Sequence, residues 1–198
     1  MFQDHFTLMA SYEKNLAISK PELDFAIAKE ALSRFRQLTW LYSKITELEA
    51  RVIERYEMLH GPIASGTNVV IVFSNLASPD NPDAEFTLPE QLCLLGECFY
   101  ESAFRLIALF DECQAALPGL TPPSAKGVRR VRNNLLVHAN KKAGTTLYMF
   151  SVSNAGGLRL RPAFMIDKAS PYLDKGFKAN AAELSNQLLA ILRSANAA

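Results

Sequence analysis

From Glu22 to Leu59 the chain contains neither glycine nor proline. Apolar side chains recur through this run at Phe25, Ala28, Leu32, Phe35, Leu38, Leu41 or Tyr42, Ile45, Leu48, Val52, Tyr56 and Leu59. Steps of three and four place them on one face of a helix. Lys29, Arg34, Arg36, Lys44, Glu47, Glu54 and Glu57 fall on the other face, and Trp40 is read as core in preference to a ligand-stacking ring. Such a helix is about 57 Å long at 1.5 Å per residue. That is long for a small domain and invites a kink or a dimer contact.

The rest of the chain also reads as mainly α. Residues 2 to 18 form a first helix with Phe2, Phe6, Met9 and Leu16 as its stripe, and Pro21 then sits in the first turn of the long helix. Thr87-Leu88-Pro89-Glu90 has the spacing of a capping box. The helix it opens runs to about Leu117, buries Leu92, Leu95, Phe99, Ala103, Leu106 and Phe110, and presents Glu97, Glu101, Arg105, Asp111 and Glu112 as a solvated face. Val69 to Phe73 is β-branched, either one strand or a buried extended segment. Two strand-like runs, Thr145–Val152 and Leu158–Phe164, flank Asn154-Ala155-Gly156-Gly157 and predict a β-hairpin at 145–164. A last helical region opens at Ser170-Pro171 and is firmest from Ala181 to Leu192. The expected architecture is one domain over 1–198, a helical bundle with a small β-hairpin.

Composition bounds the setting. Apolar residues make up 49% and charged residues 21%, an ordinary globular balance. No run of 18 apolar residues exists, and the N-terminus lacks the pattern of a signal peptide. Cys93, Cys98 and Cys113 read as buried thiols of a reducing compartment. A cytoplasmic protein with no membrane partner is expected. The net charge of +1 is unevenly spread: Cys113 to Ile166 holds eight basic residues and no acidic one, leaving −7 on the remainder. The basic segment is either a phosphate-binding surface or a solvated face paired with the acidic helices.

That segment contains Arg129-Arg130-Val131-Arg132-Asn133-Asn134-Leu135-Leu136-Val137-His138, predicted as a helix from about Ser124 to His138. Val128, Val131 and Leu135 share a face, with His138 close to it. Leu136 and Val137 point elsewhere, which favours burial between the core and a second subunit. Arginine matches phosphate oxygens with a planar fork, and histidine titrates near neutrality. Together they suit acid–base chemistry at a phosphate. Arg132 and His138 are about 120° and 9 Å apart on an ideal helix, so arginine's reach or a loosened helix must bring them together. The structural alternatives are a helix-capping His138, an Arg132 paired with Glu97 or Glu101, and an Asn133 that closes a turn.

Arg132-Asn133, four further residues, then His138 resembles the signature of the HEPN family (higher eukaryotes and prokaryotes nucleotide-binding): arginine, often asparagine next, and histidine four to six residues after the arginine. The resemblance implies a HEPN-like helical bundle acting as a metal-independent endoribonuclease without cofactor. Its catalytic residues would be Arg132 on phosphate, His138 as acid or base, and Asn133 positioning them. Arg129, Arg130, Asn134, Lys141 and Lys142 would bind RNA. The resemblance also implies a homodimer whose two motif copies converge, a toxin or phage-defence role, and an antitoxin partner. Some members carry an antitoxin-modified tyrosine two residues after the histidine; Asn140 stands there, which puts that regulation in doubt. The hairpin is not part of the minimal bundle; it extends the RNA face through Arg159 and Arg161 or covers the core. The alternative to the enzyme is a catalytically silent HEPN-like module that binds nucleotide or RNA, or a dimeric scaffold. Other chemistries find no support: the three histidines and Cys93-x4-Cys98 lack metal-ligand spacing, Gly61 and Gly66 fit no phosphate loop, and no Gly-x-Ser-x-Gly elbow occurs.

Overall fold

The computed structural model describes residues 1–23, 25–74, 87–133, 148–162 and 176–197. Within them the fold is mainly helical, as the periodicity predicts. Helix α1 spans Gln3–Ser19, α2 Ala26–His60, α3 Leu88–Glu112, α4 Lys126–Val131 and α5 Phe177–Ala197. Strands β1 (Val70–Ser74), β2 (Tyr148–Ser153) and β3 (Gly157–Pro162) form an antiparallel sheet in the order β1-β2-β3. No described helix is long and apolar enough to cross a membrane.

The long run becomes α2, four residues shorter at its start than predicted. Pro21 lies in the preceding turn, where the Leu23 amide donates to the Lys20 carbonyl at 3.2 Å, and not in the helix's first turn. Proline's fixed φ suits that turn. The predicted face of α2 is buried from Ala28 to Val52, whereas Leu59 near its end is exposed. The capping box on α3 forms as read: the Glu90 amide donates to Thr87 Oγ1 at 3.4 Å, and the Thr87 amide donates to Glu90 Oε2 at 2.6 Å. This helix stops at Glu112, short of Leu117. Tighter bonds, such as the Ala116 amide to the Cys113 carbonyl at 3.0 Å, take over before Pro118.

Four aromatic rings join the long helices. Phe99 of α3 lies 4.8 Å from Phe177 of α5 and 6.2 Å from Phe2 at the head of α1, centroid to centroid. Tyr42 of α2 completes the junction, 5.4 Å from Phe177 and 6.3 Å from Phe2. His5 is fully buried beside them, its Nε2 2.8 Å from the Ser185 carbonyl oxygen. Burial pushes its pKa down, which favours the neutral ring.

The Val69–Phe73 run resolves as β1. In register, Ile71, Val152 and Leu158 stand side by side across the sheet, and Val152 and Leu158 are fully buried. Val70 and Val72 alternate to the exposed face. The hairpin is fastened to α2 by Glu49, which the sequence pattern does not single out. This carboxylate is buried; Oε1 accepts the Leu158 amide at 2.7 Å. Lys178 Nζ of α5 lies 3.2 Å from Oε2, an ion pair without a well-aimed hydrogen bond. Gly157 makes room for this contact. Its φ is +68°, and a Cβ there would sit 2.5 Å from Glu49 Oε1.

Burial pushes the Glu49 carboxyl above its ordinary value of 4.5, with the Leu158 amide and Lys178 pulling the other way. A raised folded-state pKa means the native state holds the proton more tightly. The stability this adds is full below the unfolded value and is lost as pH rises through the folded one. Glu49→Gln keeps an acceptor for Leu158 and removes the titration. In urea unfolding, wild-type stability relative to Glu49→Gln is therefore expected to fall as pH rises above about 4.5; a difference that stays flat with pH refutes it. Glu49→Ala strands the Leu158 amide and is expected to cost about 1–3 kcal/mol.

Candidate functional site

The predicted motif helix is α-helical as α4 and widens into a π turn at Arg132–Asn133. Its remaining positions, including Asn134 and His138, lie outside the described residues, as do Lys141 and Lys142. α4 begins after Ala125, whose φ of 36° and ψ of 50° put an alanine in the left-handed region. That conformation costs about 1–2 kcal/mol for a residue with a Cβ. Gln187 of α5 holds it there: its Oε1 accepts the Ala125 amide at 2.9 Å and the Ser124 hydroxyl at 3.2 Å. Val128 and Val131 are buried, as their spacing predicts. With that face inward, Arg129 and Arg132 reach the flank of α3.

There the two arginines meet carboxylates. Arg129 Nη2 lies 3.6 Å from Asp111 Oδ2. Arg132 Nε lies 3.6 Å from Glu101 Oε2, while Arg105 Nε donates to Glu101 Oε1 at 3.0 Å. One carboxylate thus faces two guanidinium groups, and the trio carries one net positive charge. The Arg132 guanidinium also rests over the Phe104 ring, 4.1 Å from its centroid, and its Nη1 donates to Asn133 Oδ1 at 3.3 Å. Ring contact of this kind contributes about 0.5–2 kcal/mol and removes rotamer freedom. Nε is buried and has no hydrogen-bond acceptor among the described residues. Arg132 and Asn133 therefore touch, with Arg129 close by on the same short helix; Arg130 is exposed. Glu101 and Asp111 keep the solvent access expected of them and also face the motif's arginines, because α4 folds back onto α3; of the alternatives for Arg132, the pairing with Glu101 is the one that forms.

Beside Glu101 a groove of about 830 Å³ runs between α2 and α3. Trp40, Gln37 and Arg34 line one wall, and Cys98, Ser102 and Arg105 the other. Trp40 is 56% exposed, correcting its expected place in the core. The helical period carried that signal: two residues past buried Leu38, Trp40 is about 160° around the helix from it. The expectation of three buried thiols also needs correction. Cys93 is buried, Cys113 is half-buried, and Cys98 is exposed because it faces this groove. Among the described residues no three of His, Cys, Asp and Glu are grouped to hold a metal ion. Arg159 lies along the hairpin turn, its Nη2 3.1 Å from where a Cβ on Gly156 would be.

The seat of α4 depends on Gly127. A Cβ there would collide with Asn180 Oδ1 of α5, and Asn180 Nδ2 donates to the Tyr100 hydroxyl at 3.0 Å, so it cannot easily swing away. Glycine to alanine inside a helix ordinarily stabilises by about 1 kcal/mol. Here the sign is expected to reverse, with Gly127→Ala costing about 1–3 kcal/mol through overpacking. Urea unfolding checks the sign, and adding Asn180→Ala is expected to make the pair non-additive. A stabilised single variant would show that α4 does not pack this closely.

No family model, curated protein or solved structure matches the chain, and the function proposed for it stands on its own residues.

Proposed function

We propose that the protein is a HEPN-like, metal-independent endoribonuclease. The observation that carries this is the setting of Arg132: its guanidinium is braced by Phe104, Asn133 and Glu101, the last of which also lines an open groove, within the Arg-Asn-x4-His sequence. A fixed cation that does not lose its proton is what a developing phosphorane needs. In the proposed reaction the RNA 2′-oxygen bonds to phosphorus and its proton leaves. The bond to the 5′-oxygen breaks, and that oxygen gains a proton. His138 supplies the acid or base, Arg132 neutralises the phosphate oxygens, and Asn133 holds Arg132 in place. Arg129 and Arg130, with Asn134, Lys141 and Lys142, would draw the RNA backbone. A homodimer bringing two motif copies together, an antitoxin partner and a toxin or defence role belong to the same proposal.

A second reading is favoured by one observation. Arg132 is already engaged by Glu101 and Phe104, as it would be in a catalytically silent module that binds nucleotide or RNA. Cleavage separates the two. A mixed single-stranded RNA panel in EDTA is expected to yield cyclic-phosphate and 5′-hydroxyl ends. His138→Ala and Arg132→Ala, each folded by circular dichroism, are expected to lose about 100-fold or more in rate. Equal cleavage by all three proteins sinks the assignment of these residues. Binding without cleavage by wild type favours the silent module.

A further inference from the structure

The groove between α2 and α3 has features that neither the core nor the motif accounts for. Its volume, about 830 Å³, lies within the range of ligand sites, roughly 300–1,000 Å³. It exposes more than half of the chain's single tryptophan. An indole is the largest apolar surface a side chain can offer, and leaving it in water forgoes its burial. The arginines are also set in advance. Arg34 Nε donates to Glu30 at 2.7 Å and its Nη1 to Gln37 Oε1 at 3.0 Å. Ser102 Oγ donates to the same Gln37 oxygen at 3.1 Å, linking the two walls across the groove. On the far wall Arg105 is oriented by Glu101, the carboxylate that also faces Arg132.

Charge selects among occupants. Arg34, Arg36 and Arg105 line the groove with Glu97 and Glu101, and Glu30 pairs with Arg34. Burial pushes the Glu97 carboxyl above its ordinary value, with the Cys93 thiol pulling the other way. A flat π surface among oriented guanidinium groups suits a base joined to a phosphate, since bases of any sequence stack on aromatic rings. We infer that this groove seats one nucleotide of a single-stranded RNA, its base stacked on the Trp40 indole and its phosphates drawn by Arg34 and Arg105. Glu101, which lines the groove, is also the carboxylate that faces Arg132, the proposed phosphate-binding residue. This inference rests on the ribonuclease reading only in taking RNA as the ligand; it adds a site of its own.

The test uses the full chain and a labelled single-stranded oligonucleotide with every 2′-oxygen methylated, which binds but cannot be cleaved. Binding is followed by anisotropy and by the emission of Trp40. Saturable quenching is expected to track the anisotropy. Trp40→Leu is expected to weaken binding about 5- to 100-fold, and Trp40→Phe much less, with both variants folded by circular dichroism. Wild-type binding without quenching, together with unchanged affinity in Trp40→Leu, overturns the groove and leaves the ribonuclease proposal standing. Absence of RNA binding by wild type overturns both. If Trp40→Leu keeps its affinity but converts a dimer to a monomer in light scattering, the groove is a contact between copies, and the nucleotide site is refuted.

Discussion

Phe99 is where the bundle is decided. It lies in the junction that joins α3 to Phe2, Tyr42 and Phe177, so burying one ring fixes α3 against α1, α2 and α5. Removing such a ring from a packed core costs about 3–5 kcal/mol, a large part of a domain's net stability. Rotation of α3 is settled by the same burial. With Phe99, Ala103, Leu106 and Phe110 inward, residues at other angles must face elsewhere. Glu97, Glu101 and Arg105 then line the groove, while Phe104 and Glu101 receive Arg132. The site inherits its geometry from the core and needs no separate scaffold.

Two carboxylates show how burial changes what a charge does. Glu49 is withdrawn from water, satisfied by a backbone amide, and only loosely matched by Lys178. Its work is architectural, tying the hairpin to α2 and requiring glycine at 157. Glu101 keeps partial access to solvent and holds two arginines, one from its own helix and one from α4. Exposed pairs of this sort add little stability, about 0–1 kcal/mol. Their value is positional, because together they favour one placement for each of two long side chains.

The helical class was legible because α2 and α3 combine strong period with clear punctuation. Thr87 and Glu90 form the box their spacing announces, and Val128 and Val131 turn inward as their spacing requires. What was hidden depends on long-range pairing. The helical period does set Glu49 apart from Glu47 and Glu54, on the face of Ile45 and Val52; what it does not show is the partner, a backbone amide more than a hundred residues away in sequence. Pro21 lies before the helix and not in its first turn, because a proline that suits a first helical turn also suits the preceding loop. Trp40 differs for another reason: tryptophan's apolar bulk suggests core, whereas the helical period sets it opposite Leu38. Of the candidate site, Arg129, Arg132 and Asn133 fall together, whereas the placement of His138 relative to them lies beyond the described residues.

The pairing of Arg132 with Glu101 does not argue against a phosphate-binding role. A bidentate pair would occupy the fork and make any incoming anion displace a well-matched partner. At 3.6 Å the contact exerts Coulomb attraction without a hydrogen bond at Nε. Phe104 fixes the plane of the guanidinium from one face, and Asn133 takes a single donor from Nη1. Arg105 shares the same carboxylate, so the negative charge is divided between two cations. Such an arrangement holds an arginine in place while leaving the cluster short of one anion. A phosphate would complete that balance, and Trp40 lines the same groove as Glu101.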